Sequence, residues 1–349
     1  MEQIDKKAHR RGRWRRWLTP LGAVIAVGVL VWLAEYARKK IDIQAVLTSI
    51  RPVWLLCGLL AVPAAETVDA LVFYSMGRRS GQNVRLDRCF DATFIGELYY
   101  RLGAAGAPVQ LGLMVDAGFE PVAAGGVYTW KSLANAVVYT ILALAALGCK
   151  VGLYGERLGW VTGMTALILA GYGVVCALGF WAAARPSMAA RALQRFVDFL
   201  TKKVPWLRRK NRGERVREKG TEYCAALGRA KENQELLWRL FLGMFVELMI
   251  LFSVPGYLYF ALGLRDVSFF RVTLTTCLVM LLARLVALPG NAVGAEGAFY
   301  LLMSPYFQGE TTVALVLWRL ITFAWPMLLG AGAALLSAAR KQRPFSISS

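Results

Sequence analysis

Hydrophobic positions in this chain gather into long runs, separated by shorter polar stretches in which lysine and arginine predominate. Seven runs stand out: Leu18–Ala37, Val53–Met76, Val127–Leu147, Trp160–Ala184, Trp238–Leu262, Phe269–Leu288 and Thr312–Ala338. About 20 apolar residues in a helix cover a hydrocarbon core about 30 Å thick. Each run meets or approaches that length, so the pattern predicts an all-α polytopic membrane protein with seven or eight transmembrane helices. The expected organisation is a basic leader at 1–17, a membrane domain at 18–338 with a basic insertion at 185–237, and a tail at 339–349.

Two stretches break the pattern. Residues 86–126 are semi-apolar and hold Glu97, the turn-forming GAAGAP at 103–108, Gln110 and Asp116. Residues 288–303, LPGNAVGAEGAFYLLM, set a proline, three glycines and Glu296 between apolar flanks. With the N-terminus inside, an uninterrupted last span would leave the basic tail outside; a broken crossing within 289–311 returns it to the cytoplasm. Segment 38–52, basic yet on the outer side in this count, reads as a short interfacial helix. Each half of the chain thus has a Gly/Pro-broken segment with one glutamate, followed by a long apolar helix. Paired interruptions of this kind mark repeat-built transporters with a site near the midplane. The expectation is therefore two re-entrant segments, with the halves a candidate inverted repeat.

Backbone groups freed by such breaks cannot face lipid and must be buried in protein or line a wet cavity. A charge at membrane depth costs about 2.5–3.5 kcal/mol on insertion scales and is a functional candidate by default. The candidates are Glu66, Asp69, Glu97, Lys131, Glu247, Arg284, Glu296 and Arg319. Glu66 and Asp69 stand three apart, on one helix face. They either share a proton, which suits proton coupling, or pair with Lys131 or Arg284 and hold helices together. Arg284 and Arg319 flank the second broken segment and offer rigid forks for phosphate or carboxylate. Glu296 either meets a substrate or caps a half-helix beginning near Gly294, where a carboxylate in the first turn suits the helix dipole.

The 41 Lys+Arg against 22 Asp+Glu give a net charge of +19. The excess sits between the spans, as the positive-inside bias requires, with seven basic residues in 1–17 and fourteen in 185–237. Anionic membrane lipids are therefore the expected partners of the basic segments, and nucleic acid is not. The six cysteines are scattered, without a C-x-x-C pair, and His9 is the one histidine. Neither a metal site nor a His-based triad is expected. No P-loop, nucleophile elbow, zincin or dinucleotide fingerprint is present, so no cofactor and no catalytic residue is assigned.

The segments GELYYRLGAAGAPVQLGLMVDAGF (96–119), LPGNAVGAEGAFYLLMSPYF (288–307) and LVLWRLITFAWPMLLG (315–330) resemble the flippase-like domain of the lysylphosphatidylglycerol synthase transmembrane family. That family includes the membrane part of bacterial multiple peptide resistance factors, and the resemblance covers roughly 20–340. It implies movement of a phospholipid, such as lysyl- or alanyl-phosphatidylglycerol, between leaflets of the bacterial cytoplasmic membrane, with both termini cytoplasmic. By residue it implies roles for Glu97, Gln110, Pro289, Gly290, Glu296 and Arg319. It also brings the label of phosphatidylglycerol lysyltransferase, or a place as membrane component beside a lipid-modifying enzyme, and a homodimer as a further candidate assembly. Aminoacyl transfer in the full-length enzymes belongs to a large soluble domain after the membrane part. The chain ends at Ser349, so no transferase activity of its own is expected. A non-transporting envelope scaffold is the remaining alternative.

Overall fold

A computed structural model describes residues 50–102, 106–149, 158–203, 220–224, 234–283 and 292–342, besides isolated positions 28, 31 and 35. The described residues form an all-α protein without strands. In order, the helices are α1 (Pro52–Arg79), α2 (Leu86–Arg101), α3 (Gly106–Asp116), α4 (Pro121–Gly148), α5 (Leu158–Ala184), α6 (Pro186–Lys203), α7 (Gln234–Phe252), α8 (Val254–Ala261), α9 (Phe269–Ala283), α10 (Ala292–Phe307), α11 (Thr311–Arg319) and α12 (Trp325–Gln342). Prolines start several of them, at Pro52, Pro121 and Pro186, where a missing N–H costs nothing.

Five stretches are long and apolar enough to cross a membrane: Pro52–Arg79, Pro121–Gly148, Thr162–Ala184, Gln234–Ala261 and Gly294–Arg340. They match five of the seven sequence runs. The first run, Leu18–Ala37, lies almost wholly outside the described residues. Of the sixth run, the described residues hold Phe269–Ala283, all within α9. Arg284, Pro289 and Gly290 fall in 284–291, outside the described residues, as does segment 38–49.

The last stretch is not one crossing. After α10 the chain turns through a 3-10 segment, Gln308–Glu310, with Gln308 at φ 49. It then returns alongside α10, so that Phe299 stacks on Trp318 at 4.8 Å and Tyr300 bonds Thr312. The sixteen described residues of α10 rise about 24 Å. The half-helix expected near Gly294 is already helical at Ala292. Glu296 sits in its second turn, out of reach of the first-turn N–H groups, so the capping role is set aside.

The chain divides into two compact units. The first contains Met1–Thr67, Phe90–Leu113 and Met249–Ser349. Its core is aromatic: Tyr259 meets Phe307 edge-on at 5.5 Å, Phe307 lies 5.9 Å from Phe299, and Thr275 donates to the Tyr306 hydroxyl at 3.1 Å. The second contains Val68–Cys89 and Met114–Leu248. There α4 packs on α5 through Trp130 against Phe180 and Tyr139 against Tyr172. Gly118, at φ +110, brings the chain within 2.4 Å (measured from an added Cβ) of the Asn83 carbonyl, a place only glycine fits.

Candidate functional site

The site lies in the first unit and starts from two prolines. A proline inside a helix has no N–H for the carbonyl four residues back. Pro63 therefore leaves the Leu59 carbonyl without its helical donor, and the indole of Trp325 supplies one at 3.1 Å. Pro326 does the same to Thr322, whose carbonyl accepts from the guanidinium of Arg101. Just before Pro326, residues Leu320–Ala324 are wound as a π-helix, and the Trp325 N–H reaches five back to Leu320. Such bulges are frequent at functional sites. Thr322 lies about 17 Å along the helix from Thr311 at 1.5 Å per residue, well inside an apolar stretch.

Arg101 is positioned by close helix packing. Asp91 of α2 accepts from Ser337 at 2.9 Å and faces Arg340 at 3.9 Å; further along, Arg101 reaches Thr322. The order shows α2 and α12 to be antiparallel. Between these contacts, a Cβ on Gly330 would lie 2.5 Å from the Phe94 carbonyl and 2.7 Å from Leu98. Gly330 is what allows the approach. Ile95, Leu98 and Tyr99 then pack with Met327 and Ala334. α3 folds back on α2: a Cβ on Gly106 would meet the Tyr100 backbone at 2.4 Å, and Gln110 lies against Gly96. Gln110 is buried, at 8% exposure.

Two glutamate–arginine pairs meet this helix. Glu97 pairs with Arg101 at 3.1 Å, one turn apart on α2. Glu296 faces Arg319 at 4.0 Å, a coulombic approach too long for a hydrogen bond. Arg319 immediately precedes the π-helical turn, and Arg101 binds the carbonyl three residues further on. The Phe299–Trp318 stack fixes α10 against α11 beside the second pair. Both broken segments of the sequence thus deliver their glutamate, with a guanidinium, to one distorted helix.

Glu66 and Asp69 fall differently. Both are buried on α1, at 5% and 2% exposure. In the second unit, Asp69 pairs with Lys131 of α4 at 2.6 Å, and the ammonium also lies 4.6 Å from the Phe73 ring. This is the helix-holding alternative for Asp69. Arg284, Pro289 and Gly290 lie outside the described residues. Sequence reasoning missed Arg101 as a site residue, and the π-helix. The available signal was Pro326 in the last apolar run, which marks Thr322 as an acceptor needing a donor.

The family model for the lysylphosphatidylglycerol synthase TM region matches residues 20–330. It takes in both glutamate–arginine pairs and the π-helical turn. No curated protein and no solved structure is detectably similar to the chain.

Proposed function

This chain belongs to the lysylphosphatidylglycerol synthase transmembrane family, and on that premise we propose that it moves a phospholipid between leaflets of the bacterial cytoplasmic membrane. Family membership supports a membrane protein of lipid modification or translocation. The observation that carries the finer reading is the pairing of Glu97 with Arg101 and Glu296 with Arg319 about one π-helical turn. Four charges inside an apolar helix assembly are costly, and a lipid headgroup is the polar cargo such a membrane protein meets. The guanidinium forks suit a phosphodiester, and the carboxylates suit an ammonium or hydroxyl headgroup. A headgroup passing the site exchanges ion pairs with groups that are already partly buried. Water and lipid tails offer no such exchange.

The test is reconstitution. Purified protein in liposomes with a headgroup-labelled phosphatidylglycerol is exposed to a membrane-impermeant quencher. Translocation renders label from both leaflets accessible, whereas an inert scaffold leaves the inner pool protected. The family description names a synthase, which favours lipid modification as a second reading. Transfer of an aminoacyl group from charged tRNA to phosphatidylglycerol by the same preparation would establish that reading instead.

A further inference from the structure

A different part of the molecule, in the second unit, carries an inference of its own. The apolar stretch Thr162–Ala184 ends at Arg185, and that single residue separates it from α6. A helix tied by one residue to the end of a membrane span starts at the membrane surface. The sequence of α6, PSMAARALQRFVDFLTKK, is amphipathic at helical spacing. Among its described side chains, Ala189 and Ala190 are buried with Cys224, against Ala182.

Other side chains of α6, among those the structure describes, are exposed. Met188 and Phe196 are 41% and 57% exposed, with Ala192, also exposed, between them at four-residue spacing. Arg191 and Arg195 are exposed as well. At about 100° per residue, Arg191, Arg195, Met188, Ala192 and Phe196 follow one another round a single arc of about 140°. Asp198 is the one acidic residue in α6. Beyond α6 the sequence continues as LRRKNRGERVREKG, with seven basic residues against two acidic.

We propose that this arc of α6 is a docking surface for an anionic phospholipid leaflet, with Met188, Ala192 and Phe196 entering the acyl boundary and Arg191 and Arg195 holding headgroup phosphates. The order of side chains round the arc fits a surface whose apolar and anionic layers lie side by side. Arginine stems extend along apolar surface while the charged ends stay in the headgroup layer. A second copy of the chain does not fit the same surface, because it would bring like charges face to face.

The test uses the full chain in nanodiscs. An environment-sensitive dye is placed at Ala192→Cys, with Cys57, Cys149 and Cys176 replaced by alanine. Phosphatidylglycerol is then titrated into phosphatidylcholine discs. Burial of the dye should rise with the phosphatidylglycerol fraction and fall in high salt. Neutralising Arg191→Gln and Arg195→Gln should weaken the preference for phosphatidylglycerol about fivefold per arginine. Phe196→Ser should reduce dye burial without abolishing the charge dependence. Dye burial indifferent to lipid charge and salt overturns the proposal, and so does burial in detergent that depends on protein concentration, which signals a second copy. Burial that appears only with an added protein partner overturns it equally.

Discussion

Replacing Arg101 with alanine removes the guanidinium that serves both the Thr322 carbonyl and Glu97. A hydrogen bond to a charged group is worth about 1.5–3 kcal/mol. The Glu97 pair adds at most about 1 kcal/mol, since a partly exposed ion pair is screened; the side chains are 19% and 29% exposed. Arg101→Ala should therefore cost about 2–4 kcal/mol, with the orphaned carbonyl as the larger part. The structure supplies a specific rescue. Pro326→Ala restores the N–H that an α-helix would give to Thr322, so it should recover about 1–2 kcal/mol in the Arg101→Ala background, a coupling expected only for groups sharing a partner. Denaturant unfolding of the four proteins in detergent, followed by helical signal, completes the cycle. Strict additivity of the two substitutions would refute the claim that Pro326 creates the acceptor Arg101 fills.

Further outcomes follow from the same packing. Gly330→Val should push α2 off α12, costing at least the 1–3 kcal/mol typical of overpacking, because the Phe94 carbonyl is backbone and cannot swing away; thermal unfolding in detergent reads it. Lys131→Ala leaves Asp69 buried without its cation and should cost about 3–5 kcal/mol, whereas Lys131→Met with Asp69→Leu should recover most of that loss. Outside the spans, burial pushes the Asp87 carboxyl up, but the hydrogen bond and charge of Arg85 and the charge of Arg88 outweigh it and hold the group below its ordinary 3.8. A lowered folded value stabilises above the ordinary value and is lost as pH falls through the lowered one. Asp87→Asn should thus cost up to about 1 kcal/mol at pH 7, as an exposed pair does, and nothing in strong acid; unfolding midpoints at the two pH values check this.

Much of the architecture was legible because apolar runs of bilayer length have few alternative uses. Val53–Met76, Val127–Leu147 and Trp160–Ala184 all fall within helices of the structure. The two interruptions were legible for the same reason, since Gly103–Pro108 and Pro289–Gly297 stand out against such flanks. What they become was less so. Glu296 read either as a substrate contact or as a first-turn cap, because Gly294 suggests a helix start, but α10, packed on α9 and α11, is already helical at Ala292. The last run, Thr312–Ala338, read as one regular helix. Its π-helical turn lies just before Pro326, and the Thr322 carbonyl within it is met by Arg101 more than 200 residues away; no single-helix periodicity encodes such a pairing. Arg101 stands in the last turn of α2, where an arginine suits the helix dipole without any further role. Its role depends on α2 lying antiparallel to α12, which Gly330 permits.

The proposed function rests on lipid passing the two glutamate–arginine pairs. The most direct measurement compares translocation of headgroup-labelled phosphatidylglycerol in proteoliposomes by the unmodified protein and by Glu97→Gln with Glu296→Gln, each shown to be folded by its unfolding midpoint. The unmodified protein should expose label from both leaflets, and the doubly neutralised protein, though folded, should leave the inner-leaflet label protected. Equal translocation by the two proteins would rule out passage by these pairs.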